Sequence, residues 1–126
     1  MDVAITGSSG LIGRSLVDDL RAGGHRVVRV VRRDPSGPDE IAWDPEEDRL
    51  EPHALDGLDA VVHLAGAGIA ERRWTTAQKD RIRRSRTVGT SLLARSIAAS
   101  ANGPRVLLSG SAVGWYGDRG DEVLTE

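Results

Sequence analysis

Apolar residues along this chain fall into short continuous runs, separated by stretches with helical spacing. Val3 to Thr6 is such a run, stopped by glycine, and has the profile of a buried strand. Leu11, Ile12, Leu16, Val17 and Leu20 recur at helical intervals and predict an inward helix face, with Gly23-Gly24 as the stop. RVVRVVRR is short and β-branched, predicting a second strand from about Arg26 to Val31. DPSGPDE is turn chemistry, EIAW predicts a shorter third strand, and DPEEDRLEP reads as an acidic loop. AVVHLA, Ala60 to Ala65, predicts another buried strand that ends in GAG. Thr75 and Gln78 fit a capping box, opening a helix to about Ala101 with Ile82, Leu92, Leu93 and Ile97 inward. Gly89 interrupts that helix, which a close approach to a sheet or ligand would explain. Asn102-Gly103-Pro104 ends it, and RVLLS predicts a further strand.

Strands that alternate with helices and are apolar almost throughout imply a parallel sheet covered on both faces. The expected fold is therefore α/β, a doubly wound Rossmann sheet in the order 3-2-1-4-5. No repeat or linker divides the 126 residues, so residues 1–126 are expected to form one domain. The pattern stops soon after the fifth strand, as in the N-terminal portion of a longer protein whose substrate domain is absent.

Composition narrows the function. A net charge of −2 argues against a general nucleic-acid binder. There is no cysteine, which removes disulfides and thiolate chemistry, and His25, His53 and His63 have no metal-ligand spacing. No run approaches the ~20 apolar residues of a membrane span, and nothing resembles a signal peptide, so a cytoplasmic location is the default.

The segment AITGSSGLIGR spaces Gly7, Gly10 and Gly13 between the first strand and the first helix. In that setting Gly7 permits the tight turn and Gly10 lets backbone approach a pyrophosphate, while Gly13 brings the helix close to the sheet. The turn residues Ser8 and Ser9 lead into Leu11 and Ile12, where opening backbone N–H groups aim the helix's positive end at an anion. This predicts a dinucleotide site. Sites for NAD place a carboxylate at the end of the second strand, whereas this chain has Arg32 and Arg33, suited to a 2′-phosphate. NADP is expected over NAD; two arginines that merely solvate a strand end are the alternative.

At this point the chain resembles the extended and atypical short-chain dehydrogenase/reductases. More narrowly, it is similar to the NAD(P)-dependent epimerase/dehydratase-like family. TGSSGLIGR, HLAG at 63–66, RRWT at 72–75, SRTVGTSLL at 85–93, WDP at 43–45 and SGSAVGWYGDRGDEVLTE at 109–126 carry the resemblance. The resemblance implies that Leu64, Ala65 and Gly66 run under the adenosine half of the cofactor. It implies that Arg86 stands where relatives carry a cofactor-facing asparagine. It also implies that Ser111 matches a serine that hydrogen-bonds the reacting carbonyl or hydroxyl.

Catalysis in that superfamily rests on a Tyr-x-x-x-Lys pair, in which the lysine lowers the pKa of an acid/base tyrosine. Here Tyr116 is the one tyrosine, Lys79 the one lysine, and residue 120 is glycine, so the pair is absent. Tyr116 and Trp115 are expected to shape a pocket wall. Two functions follow: the NADP(H)-binding part of an oxidoreductase or epimerase acting on a small molecule, or a non-catalytic NADP(H)-binding sensor or interaction module. The 126-residue chain alone is expected to be inactive.

Overall fold

A computed structural model describes residues 1–70, 72–111 and 117–125. The strands are β1 (Asp2–Thr6), β2 (Arg26–Val31), β3 (Glu40–Asp44), β4 (Arg49–Leu50), β5 (Ala60–His63) and β6 (Val106–Ser109). The helices are α1 (Leu11–Ala22) and α2 (Thr76–Ala99). The strands form one sheet in the order β4-β3-β2-β1-β5-β6. All its pairs are parallel except β3 with β4. The parallel part, β3-β2-β1-β5-β6, is the expected doubly wound order.

Alternation along β1 divides the core between two helices. Val3 and Ile5 join Val27 and Ala60 against Val17 of α1, while Ala4, Val28, Val30 and Val61 meet Leu92 and Leu93 of α2. Gly89 lets α2 come down onto the sheet: a Cβ there would stand 3.3 Å from Trp43 and 3.4 Å from the His63 ring.

Several boundaries differ from the sequence expectation for local reasons. Leu11 and Ile12 are 89% and 68% exposed rather than inward, because the buried face of α1 begins only at Gly13. Leu16, Val17 and Leu20 form the buried stripe instead. The acidic loop folds into a hairpin. Asp44 Oδ1 accepts from the amides of Glu46 and Glu47, Asp48 takes a φ of 51°, and Arg49–Leu50 returns as β4. Aspartate tolerates that left-handed conformation better than most residues. Strand β5 ends at His63 rather than Ala65, since the next two amides turn toward the Thr6 side chain. Helix α2 ends at Ala99.

Only half of the capping box forms. Thr75 Oγ1 accepts from Gln78 N at 3.2 Å. The Gln78 amide, however, donates to Gly68 O at 3.4 Å, and Thr75 N donates to Arg73 O.

Candidate dinucleotide cleft

Where β1 and β5 end, a cleft of about 890 Å³ opens along the C-terminal edge of the sheet. One wall is backbone. Gly7, at φ +68°, occupies the left-handed region that glycine enters freely. A Cβ on it would lie 2.8 Å from Ala65 N and 2.8 Å from Leu64 C, so the glycine turn and the β5 turn touch through main chain. Gly10 donates to Gly7 O at 3.0 Å and is the N-cap of α1. A Cβ at Gly10 would meet Gly7 O at 3.2 Å and no other atom within 4 Å. Gly13 is tighter: its Cβ would fall 2.2 Å from Gly7 O. Its smallness therefore seats the helix on the turn itself, more than on the sheet.

Helix α1 has no side-chain cap and no acidic residue in its first turn. Its opening N–H groups, at Leu11, Ile12 and Gly13, thus keep the donor capacity that helix termini leave unsatisfied. Leu11 and Ile12, 89% and 68% exposed, are not among the residues that line the cleft, which reaches Gly10 at the start of the helix. Ser8 and Ser9 line the cleft, Ser8 being buried, and Ser9 O accepts from Arg14 Nε at 2.8 Å.

The second wall is charged. Arg32 and Arg33 both line the cleft. Arg33 is already committed: Nη1 and Nη2 each donate to the Glu40 carboxylate at 2.7 Å. Glu40, whose side chain is 4% exposed, also accepts from Arg29 and from Ser36 N and Oγ. Arg33 foremost, and then Ser36, hold the Glu40 carboxyl well below the usual carboxylate range. Glu40 in turn raises the pKa of Arg33. This cluster occupies the β2–β3 connection, residues 32–39, which holds no helix. Arg32, also among the cleft residues, makes no hydrogen bond or ion pair among the described residues.

The remaining candidates separate. Leu64, Ala65 and Gly66 line the cleft. Arg86 does not; it donates to Ala67 O at 3.2 Å and to Ile82 O at 3.1 Å, and its guanidinium covers Gly66. It braces the β5 turn. Ser111 is exposed beyond β6, away from the cleft lining. Tyr116 and Trp115 lie outside the described residues. Arg29, Arg81 and Arg84 line the cleft, as does Trp43 of the WDP motif, although sequence reasoning assigns none of them a place at the cofactor. Arg81 and Arg84 belong to an α2 face on which Ala77, Asp80, Ser85 and Val88 also border it. Helical spacing from Thr75 could have revealed that face; Arg29 and Trp43 needed the sheet register.

A glycine turn joining a buried strand to an uncapped helix, at the C-terminal edge of a parallel sheet in this order, defines a Rossmann-type domain. The model of the NAD dependent epimerase/dehydratase family matches residues 3–126, and the chain belongs to that family. An epimerase family protein of Mycobacterium tuberculosis is 48% identical over 124 residues, covering 98% of this chain and 40% of its own length. The structure of a nucleoside-diphosphate sugar epimerase from Corynebacterium glutamicum superimposes with a TM-score of 0.79 at 44% identity, over 98% of this chain and 25% of that one. The human epimerase family protein SDR39U1 (isoform 2), solved with NADPH, gives a TM-score of 0.79 at 35% identity, over 92% and 38%. The chain thus spans about 40% of the length of the curated relatives it matches. No helix among the described residues is long and apolar enough to cross a membrane.

Proposed function

We propose that the chain is the NADP(H)-binding domain of an epimerase- or oxidoreductase-like enzyme. The observation that carries this reading is the pairing of an uncapped α1 N-terminus with an unpartnered Arg32 across one cleft. The α1 amides would hold the pyrophosphate, Leu64–Gly66 would lie under the adenosine, and Arg32 would take the 2′-phosphate. The human relative solved with NADPH supports the same choice. The family's name refers to NAD, so the preference between the two cofactors is what the experiment must measure.

The bound nicotinamide would supply or accept hydride. The chain's own share is to bind and orient the dinucleotide, since it lacks the Tyr-x-x-x-Lys pair and Ser111 stands outside the cleft lining. That absence favours, for the 126 residues by themselves, the second reading of a binding module without turnover. A small-molecule substrate would be held by segments beyond these residues.

Fluorescence titration with NADPH and NADH tests the assignment. Arg32→Ala should weaken NADPH by about 1.5–3 kcal/mol, roughly 10- to 150-fold, and leave NADH nearly unchanged. An unchanged preference removes Arg32 from the site. Incubating the same sample with NADPH and carbonyl compounds should give no oxidation above background; turnover lost in Ser111→Ala would make this a minimal enzyme.

A further inference from the structure

His63 ends β5 and is 3% exposed. Its Nδ1 lies 2.7 Å from Thr6 Oγ1, itself fully buried. The same hydroxyl accepts from Leu64 N at 3.2 Å and from Ala65 N at 3.1 Å, Leu64 N being shared with Thr6 O. A hydroxyl has two lone pairs and one proton. With both lone pairs engaged by amides, its proton goes to His63 Nδ1, which leaves the ring's own proton on Nε2. That nitrogen is buried with no hydrogen-bond partner among the described residues. An orphaned buried donor is destabilising, so the tautomer is set by what Nδ1 receives and not by what Nε2 meets.

The hydroxyl sits at a junction. By drawing in the amides of Leu64 and Ala65 it ends β5 and turns the chain until Ala65 N and Leu64 O lie within 2.9 Å of the Gly7 Cβ position. The two backbone surfaces of the cleft therefore meet at Thr6, whose rotor His63 orients.

We propose that Thr6 and His63 are a positioning pair: neutral His63 takes the Thr6 proton, Thr6 holds the Leu64–Gly66 turn against the glycine turn, and dinucleotide affinity depends on that ring staying neutral. The proposal rests on the cofactor reading above. A charged imidazole would aim an Nδ1–H at an oxygen with no lone pair to give, so ring or hydroxyl must swing and release an amide. The ring is packed by Thr6 of β1, Trp43 of β3 and Gly89 of α2, and pairs in register with Ser109 of β6. None of these is ionisable. Burial alone shifts its pKa, downward from 6.5, so charging and loss of affinity belong to pH below that value.

The 2′-phosphate of NADPH itself titrates near pH 6, so the readout is the difference between wild type and His63→Asn. The asparagine oxygen can accept at the place of Nδ1 and does not titrate. At about pH 7.5 this variant should bind NADPH within roughly threefold of wild type, whereas His63→Leu and Thr6→Val lose about tenfold and Thr6→Ser is near normal. As pH falls below 6.5 into the range where the ring charges, wild type should lose affinity that His63→Asn keeps. Parallel pH profiles, or wild-type affinity in both His63→Leu and Thr6→Val, overturn the pair. Should those two variants fail to fold by circular dichroism, nitrogen NMR of the wild-type ring decides. A proton on Nε2 supports the proposal, and one on Nδ1 overturns it. If wild type fails to bind NADPH or NADH at pH 7.5, the cofactor reading falls, while the NMR spectrum still decides the hydrogen bond on which the pair depends.

Discussion

The two helices among the described residues begin in opposite ways. At α2, Thr75 folds its hydroxyl onto Gln78 N and the Gln78 side chain reaches back to Gly68, so protein closes the end. At α1 the N-cap is Gly10, with no side chain to offer, and the first-turn side chains Leu11 and Ile12 point to solvent. A capping side chain typically contributes ~1 kcal/mol, which α1 forgoes three residues before Gly13 packs tightly against the turn backbone. An end left open inside a rigid turn is suited to an external anion. The contrast separates a helix start that serves the fold from one that serves a ligand.

The largest effect should come from filling the space that holds α1 on its turn. Gly13→Ala places a methyl 2.2 Å from Gly7 O and 2.8 Å from Ser8 Cα, both backbone that cannot rotate aside. Overpacking costs ~1–3 kcal/mol and occasionally more, and this site should reach the upper end or exceed it. Thermal unfolding would show it; a melting point within a degree of wild type would mean that the turn yields freely. Gly10→Val separates ligand from fold. Gly10 has φ −73°, which valine adopts, and its Cβ is crowded only by Gly7 O at 3.2 Å. The variant should keep its circular dichroism spectrum and lose NADPH binding, because the side chain fills the approach to the α1 amides. Normal binding would make the glycine turn structural alone.

How much of this could be read from the sequence depends on what encodes each feature. The glycine turn was legible because excluded volume is written in residue type: three glycines at fixed spacing leave few backbone paths. The strand order was legible from alternating periodicity for the same local reason. The charged wall was not, because Arg32 and Arg33 are adjacent and chemically identical. Glu40 lies on the neighbouring strand, paired in register with Arg29, and only that register tells which guanidinium is consumed. The role of Gln78 was hidden similarly, since a box residue and a bridge to Gly68 share one sequence pattern. The β3–β4 hairpin was missed because charge density in DPEEDRLEP masked the Asp44 turn within it.

Arg33 sharpens the cofactor side of the comparison. Its fork is held by Glu40, so Arg33→Ala should change the NADPH-to-NADH preference by less than about threefold, far below the effect at Arg32. Its consequence should appear in acid instead. Glu40 has a folded pKa below its ordinary 4.5, so its contribution to stability is complete above that value and is lost as pH falls toward the folded pKa. Removing Arg33, the largest cause of the depression, raises the folded pKa and narrows the gap. Acid unfolding of Arg33→Ala should therefore begin at higher pH than in wild type. Coincident acid transitions, with NADPH preference collapsed, would transfer the 2′-phosphate role to Arg33.

The smallest effect belongs to the closed helix end. Thr75→Ala deletes the hydroxyl that accepts from Gln78 N at 3.2 Å, leaving that amide of α2 without its acceptor. Thr75 is exposed, so water can replace part of the bond, and the loss should be about 0.5–1.5 kcal/mol. Gln78 keeps its bridge to Gly68, which anchors the loop after β5 independently of the cap. The melting temperature should fall by a few degrees, as ~1 kcal/mol does in a domain of this size. NADPH affinity should not move, because neither Thr75 nor Gln78, the two residues the lost bond joins, lines the cleft. An affinity loss in Thr75→Ala comparable to that in Gly10→Val would erase the distinction between the two helix starts and make the Thr75 cap part of cofactor binding.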